Sequence, residues 1–381
     1  MFAVKGILKL SYKLLVNDKP KFLALLVGIA FAVLLMMLVS STFYGILTHS
    51  SATVINIGAP LWVMDPSVQT PADTVGMPDH VLDAVRSMPQ VKYAVPLYSG
   101  VALVKLPDGT YQSTMVIGLD DASLVGRPEL IDGNIDNIYA ENGFIAVNDA
   151  AFPKLGNPHV GSELELNDHR CIIVGIARVS ISTLFGQPTL YTTYQRAIQY
   201  VPNPRYTISY ALVQAKSPDD IAEIKRQVQA LGYVALTKNE FIKRTVMYYV
   251  YHTGVGMNML IMTLMSFIVG LSIAGQTFYT FILENIDRFG ALKAIGTKGR
   301  DLIGIILFQA AFTSLTGYGL GIGLCTALIA FAKFKIPEYF GMITYLNLIL
   351  PFVMVLIITL VSSYFGVRRV LRIEPFEIFR G

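Results

Sequence analysis

Four long apolar runs stand out along the chain, each free of Asp, Glu, Lys and Arg: residues 22–47, 245–283, 302–332 and 339–367. About 20 apolar residues in a helix cross the ~30 Å hydrocarbon core of a bilayer. Each run is long enough for one crossing and none for two with a turn between them. The pattern predicts four transmembrane helices. Pro351 lies in the first half of the last run. It costs little if that helix starts near it and predicts a kink if the helix starts well before it.

Residues 48–237 read differently. Apolar and polar positions alternate over short stretches, with turn residues between them. Asp108-Gly109 separates residues 101–106 from 111–119, and Asn167-Asp168 separates 163–166 from 171–179. Both read as hairpins. Helices interrupt the strands. Residues 78–87 place Val81, Leu82 and Val85 on one face. Ser217-Pro218-Asp219-Asp220 combines a cap, a proline in the first turn and acids at the positive helix end. The helix it starts is expected to bury Ile221, Ile224, Val228 and Leu231 and to stop at Gly232. The fold class is thus a membrane protein with four transmembrane α-helices and a large α+β extracytoplasmic domain between helices 1 and 2, with room for two small lobes.

The second apolar run is preceded by a capping box, Thr237-Lys238-Asn239-Glu240, and no proline follows within it. One helix over 238–283 is about 69 Å long at 1.5 Å per residue. That exceeds the bilayer core, so its first part is expected to project outward as a stalk.

Charge sets the orientation. Lys and Arg concentrate in residues 1–21 (Lys5, Lys9, Lys13, Lys19, Lys21), in the loop 284–301 (Arg288, Lys293, Lys298, Arg300) and in the tail 368–381 (Arg368, Arg369, Arg372, Arg380). Short loops rich in Lys and Arg stay inside. Both termini and the 284–301 loop are therefore expected in the cytoplasm, with 48–237 and the short link 333–338 outside. In residues 1–21, Val4, Ile7, Leu8, Leu14 and Leu15 alternate with Lys5, Lys9 and Lys13. This fits an amphipathic helix on the inner leaflet with its lysines toward anionic lipid headgroups. A plain positive topology signal is the other reading. The first apolar run is too long for a cleaved signal peptide, whose core is roughly 7–15 residues.

Composition removes several classes. Hydrophobic residues make up 53% of the 381 residues and charged residues 15%, against about 25% charged in soluble domains. Two cysteines rule out a disulfide scaffold, and both Cys171 and Cys325 read as packing residues. A net charge of +4 gives nucleic-acid binding no support. No charged residue lies deep in a span, where Gln276, Gln309 and Asn258 are the main polar intruders. That argues against ion-coupled transport. No G-x-x-x-x-G-K-[ST] occurs, so the chain has no P-loop for ATP.

Three features carry candidate roles. Gly317, Gly319, Gly321 and Gly323 give small-xxx-small spacings, either a dimer seam or close packing within the chain. His49 and His252, the latter beside Tyr248, Tyr249 and Tyr251, fall near the outer ends of spans 1 and 2. They are read as a ligand or haem site or, more simply, as part of an interfacial aromatic belt. The third is the loop between spans 2 and 3, Glu284-Asn285-Ile286-Asp287-Arg288-Phe289-Gly290-Ala291-Leu292-Lys293-Ala294-Ile295-Gly296. Its stripe Phe289, Leu292 and Ile295 and its terminal glycine predict a short surface helix offering a docking face; an ordinary positive loop is the alternative.

At these residues the chain resembles the permeases of the MacB/FtsX/LolC group of ABC transporters. Their loop reads R-E-I-G-x-L-[KR]-A-[LI]-G, and here Asp287-Arg288 replaces the Arg-Glu pair with the charges reversed while Phe289 fills the apolar slot. The tail Arg372-Ile373-Glu374-Pro375-Phe376-Glu377-Ile378-Phe379-Arg380 resembles the group's closing motif, and residues 143–179 resemble its outer-domain core. Within the group, the DevC-type permeases are the most similar.

The resemblance implies a transport subunit rather than an enzyme, in the bacterial inner membrane. It implies a homodimer, with ATP and Mg on separate ABC ATPase subunits and no cofactor in this chain. It also implies a periplasmic membrane-fusion adaptor and an outer-membrane duct. The loop residues Glu284, Asp287, Arg288, Phe289, Gly290, Leu292, Lys293, Ala294 and Gly296 are its implied ATPase-coupling set. Arg288 and Lys293 are assigned to an acidic rim, and Phe289 and Leu292 to an apolar floor. The expected cargo is a lipid, glycolipid, lipoprotein or amphiphilic small molecule. The alternative is a non-transporting relay that activates a cell-wall hydrolase or a sensor kinase.

Overall fold

Leu61 and Val63 on strand β1 (Leu61–Met64) enter one apolar core, and Trp62 and Met64 enter another. All four are buried, so the strand belongs to a sheet covered on both faces. The computed structural model describes residues 11–17, 19–73, 75–201 and 208–371. It divides into two compact units, Gly45–Val255 and Met1–Tyr44 with Gly256–Gly381.

The first unit is built on a ten-stranded sheet. Strand β2 (Val91–Lys105) is its spine. The first half of β2 pairs with β9 (Tyr210–Ala215) and its second half with β3 (Tyr111–Leu119), both antiparallel. Beyond β9 lie β1 and β10 (Val234–Thr237). Beyond β3 lie β8 (Thr189–Thr193), β5 (Gly143–Val147), β7 (His169–Arg178) and β4 (Glu129–Gly133), while β6 (Glu163–Leu166) pairs with β2 and β7. The two lobes expected from sequence are two halves of this one sheet, because β2 is long enough to serve both.

One face of the sheet is covered by α4 (Asp79–Arg86), α5 (Tyr194–Tyr200) and α6 (Ile221–Ala230), through Val81, Val85, Ala197, Ile224 and Val228. The other is covered by α3 (Ala52–Ile57) and α7 (Lys238–Tyr251), through Val54, Ile57 and Phe241. Both hairpins form. Lys105 pairs with Tyr111 across Asp108-Gly109, and Leu166 pairs with His169 across Asn167 and Asp168, which both take positive φ. Ser217 caps as expected, but Leu231 is 44% exposed, because the helix ends at Ala230 and Gly232 turns the chain.

The second unit contains residues 11–17, which are helical and are taken as α1, and most of α2 (Lys19–His49). It also holds α8 (Gly254–Glu284), α9 (Ile286–Ala294), α10 (Gly299–Lys335) and α11 (Tyr345–Leu371). Four of these helices are long and apolar enough to cross a membrane. Pro351 sits inside α11, past its first turn. Gly317 and Gly321 of α10 lie against α2. A Cβ at Gly321 would stand 2.6 Å from Val33 Cβ and 2.7 Å from the Ala30 carbonyl, while Gly319 and Gly323 have nothing within 4 Å. Half of the glycine ladder therefore serves packing within the chain.

The single helix expected over 238–283 is two helices. α7 ends at Tyr251 and α8 begins at Gly254. Thr253 Oγ1 donates to the Tyr249 carbonyl at 2.6 Å and accepts from the Val255 amide at 3.3 Å. It thus ends one helix and starts the next. Gly254 and Gly256 weaken the helix at this place. The first ten residues, most of the expected amphipathic helix, and the tail motif 372–380 lie outside the described residues.

Candidate functional site

Asn285 forms the junction between span 2 and the loop that follows. It is buried, its side-chain Nδ2 donates to the Phe281 carbonyl at 2.8 Å, and its backbone carbonyl receives the Phe289 N–H at 3.1 Å. The helix α9 that starts here ends in a Schellman motif. Gly296 has φ +95, its N–H bonds the Lys293 carbonyl at 3.1 Å, and the Thr297 N–H bonds the Leu292 carbonyl at 3.0 Å. A left-handed residue is needed there, which explains the glycine.

The apolar stripe does not all point one way from the bundle. Phe289 is 1% exposed and packs in a cluster with Phe278, Phe281, Ile282, Leu302 and Ile305; Leu292 is half-buried against the same cluster. Gly290 is buried as well. Ile295, by contrast, is 83% exposed. The outer face of α9 is Asp287, Ala291, Ala294 and Ile295, all exposed and spaced at helical intervals. Glu284, Arg288 and Gly296 are exposed and Lys293 is half-buried. The Arg288 guanidinium donates to Asn285 Oδ1 at 2.8 Å. Two of the nine residues expected to couple to an ATPase, Phe289 and Gly290, are thus turned into the chain's own bundle. An amphipathic helix buries its apolar stripe against the nearest apolar surface, and here that surface is intramolecular.

Sequence reasoning overlooked a contact beside this loop. Gln309 on α10 is fully buried, and its Nε2 donates to the Ser11 carbonyl at 3.2 Å. Tyr12 meets the Phe312 ring edge-on at 5.5 Å. Helix α1 is thereby held against α10. The glutamine in an apolar span was the signal, because a buried amide needs a partner.

In the outer domain, His49 Nδ1 lies 2.8 Å from the Ser182 carbonyl, and His252 stacks on Tyr248 at 5.8 Å. Among the described residues no group of three or more His, Cys, Asp or Glu could hold a metal. Cys171 is fully buried, and burial drives its thiol far above the ordinary range, the Arg196 charge opposing only in part. Arg196 donates to the carbonyls of Ile138, Ala140 and Gly143 at 2.6–2.7 Å and pins the segment before β5. These groups build structure; they do not assemble a nucleophile with a base.

Four membrane-length helices, a covered sheet domain inserted after the first, and a capped helix in the loop after the second define an ABC transporter permease. Residues 22–231 match the MacB-like periplasmic core domain, and residues 259–375 match the FtsX-like permease C-terminal region. The chain belongs to the MacB/FtsX-type permease family, and its four spans make it a multi-pass inner-membrane protein. It is a transport subunit, and ATP hydrolysis belongs to a separate ABC ATPase partner. Members of this family typically pair with such an ATPase and a periplasmic adaptor.

An uncharacterized ABC transporter permease of Mycobacterium tuberculosis is 25% identical over 341 residues, 88% of this chain and 89% of that one. The hemin transport system permease protein HrtB of Staphylococcus haemolyticus is 29% identical over 125 residues, 33% of this chain and 34% of that relative's length. Among solved structures, the periplasmic region of MacB from Actinobacillus actinomycetemcomitans aligns over 51% of this chain and 94% of that one, at 12% identity and TM-score 0.38. The extracellular domain of the noncanonic ABC-type transporter YknZ from Gram-positive bacteria aligns over 47% and 98%, at 12% identity and TM-score 0.36.

Proposed function

We propose that this chain is the membrane subunit of a mechanotransmission exporter that moves a lipid, lipoprotein or amphiphilic molecule from the periplasmic side. Two copies form a homodimer, each seated on an ATPase subunit, with both termini in the cytoplasm. An adaptor and an outer-membrane duct in the DevC-type arrangement complete the path. Hemin, named in the HrtB relative, is itself an amphiphile and falls within this cargo class.

The observation that supports this reading is covalent. The last strand of the outer sheet, β10, passes through the Thr237–Glu240 capping box into α7, then within two residues into α8, and α8 runs through Asn285 into α9. One continuous stretch of chain, broken for only two residues between α7 and α8, therefore links the outer sheet to the loop expected to meet the ATPase. The spans hold no deep charge to drive transport by an ion gradient. Force from a nucleotide cycle at α9 has this path to the outer domain.

On this reading the ATPase meets Asp287, Ala291, Lys293, Ala294 and Ile295, flanked by Glu284, Arg288 and Gly296. Phe289, Gly290 and Leu292 hold α9 to the bundle from behind. The test is Ile295→Asp combined with Lys293→Glu in the reconstituted permease–ATPase complex. Replacing an apolar anchor and reversing a charge should lower cargo-dependent ATP turnover on the order of 10-fold or more. Unchanged turnover and unchanged cargo release reject the assignment.

A further inference from the structure

Beside α9 lies an open cleft of about 660 Å³ lined by Tyr12, Lys13, Leu14, Val16, Lys19 and Arg288, together with Asn17. Three cations converge on it, and none of its described lining residues is acidic. Lys13 and Lys19 are exposed and make no hydrogen bond or ion pair with a described residue, while Arg288 spends one nitrogen on Asn285. Like charges brought close together repel, and an anion between them lowers that cost. Tyr12 adds a hydroxyl donor, and Leu14 and Val16 add an aliphatic wall.

We propose that this cleft is a binding site for the phosphate group of an anionic phospholipid, clamped by Lys13, Lys19 and Arg288. The place in the chain selects the lipid over a free anion. Lys19 opens α2, and the apolar span starts at Phe22, three residues later. At 1.5 Å per residue that is about 5 Å along the helix. The cations therefore stand where hydrocarbon gives way to headgroups, and the aliphatic wall suits the glycerol end of an acyl chain. The bound headgroup bridges α1, α2 and α9. It assigns Arg288 to lipid rather than to an acidic rim on the ATPase.

The site can be tested without the ATPase, so its failure is distinct from failure of the coupling reading. The full chain, purified in neutral detergent, is titrated with phosphatidylglycerol and with phosphatidylcholine and followed by native mass spectrometry. The wild type should hold one phosphatidylglycerol in preference to phosphatidylcholine. Lys13→Gln, Lys19→Gln and Arg288→Gln together should weaken that binding on the order of 100-fold, and Lys19→Gln alone roughly five-fold. The same charge removed at Lys298, Lys333 and Lys335 should change it less than about two-fold.

Equal retention of both lipids by the wild type overturns the proposal without reference to any variant. Full retention of phosphatidylglycerol by the triple or the single variant overturns it too. Inorganic phosphate is the remaining arm. If it binds the wild type in a way the three substitutions abolish, while phosphatidylglycerol binding ignores them, the pocket takes a free anion and the lipid assignment falls.

Discussion

The Trp62 indole on β1 and the Phe241 ring on α7 meet edge to face, with centroids 5.6 Å apart and planes at 62°. Tyr210 on β9 closes the group, 5.3 Å from Trp62 and 5.9 Å from Phe241. Trp62 and Phe241 are both fully buried. The helix that leaves the outer sheet is thus anchored in the sheet's second core, so a pull on α7 is felt by β1 and β9. Phe241→Ala should cost about 3–5 kcal/mol in the outer domain. Hydrogen exchange on the full chain should show faster opening of β1, β9 and β10, with the spans unaffected.

The start of α7 carries a charge that titrates. Burial alone raises the Glu240 carboxyl, but hydrogen bonds from Lys225 and from Thr237 outweigh it and leave the group below its ordinary value of 4.5. A carboxyl lowered in the folded state stabilises the fold above its ordinary value, and that contribution is lost as pH falls through the lowered one. Outer-domain stability should therefore fall below about pH 4.5. Glu240→Gln should flatten this part of the profile, and an unchanged acid limb would remove Glu240 from the account.

The glycine ladder in α10 should split into two pairs. Gly321→Val forces a side chain onto the Ala30 carbonyl and Val33 of α2. It should cost roughly 1–3 kcal/mol or more of bundle stability. Gly319→Ala and Gly323→Ala meet open space, and should leave the melting temperature of the detergent-solubilised chain unchanged or slightly raised by better helix propensity.

The loop between spans 2 and 3 should separate stability from the coupling proposed for it. Phe289→Ala opens a hole among Phe278, Phe281 and Ile305 and should lower bundle stability by about 3–5 kcal/mol. Ile295→Ser removes an exposed side chain and should leave stability within about 0.5 kcal/mol. Only the second is expected to impair ATPase stimulation in a chain that still melts normally.

Cys171 offers a simple check of the outer core. It is buried, and desolvation holds its thiol far above physiological pH. A maleimide should label it only after unfolding. Rapid labelling of the native chain would show that the sheet between β6 and β7 opens readily.

Local chemistry was legible without coordinates. Asn167-Asp168 turns the chain because both residues tolerate positive φ, and β6 and β7 follow from that turn alone. The Thr237–Glu240 box starts α7 because its partners are three residues apart. The four apolar runs give four spans because span length is set by bilayer thickness. The break at His252–Thr253 was less legible. It rests on a threonine side chain bonding to both flanking backbones, and the two weak glycines beside it only hint at that.

The sequence by itself determined how many times this protein crosses the membrane, where its outer domain is inserted, and where its two hairpins turn and its capped helices start. Those properties depend on neighbours in the chain and on the solvent each segment must match. The tertiary structure decided which way each side chain faces. Phe289 and Ile295 look alike in an amphipathic pattern, yet one is buried among Phe281 and Leu302 and the other lies open. Gly319 and Gly321 share a spacing, yet only Gly321 touches α2. Lys13 and Arg288 are far apart in sequence and line one cleft. Periodicity marks a face of a helix; what that face meets depends on segments distant in the chain.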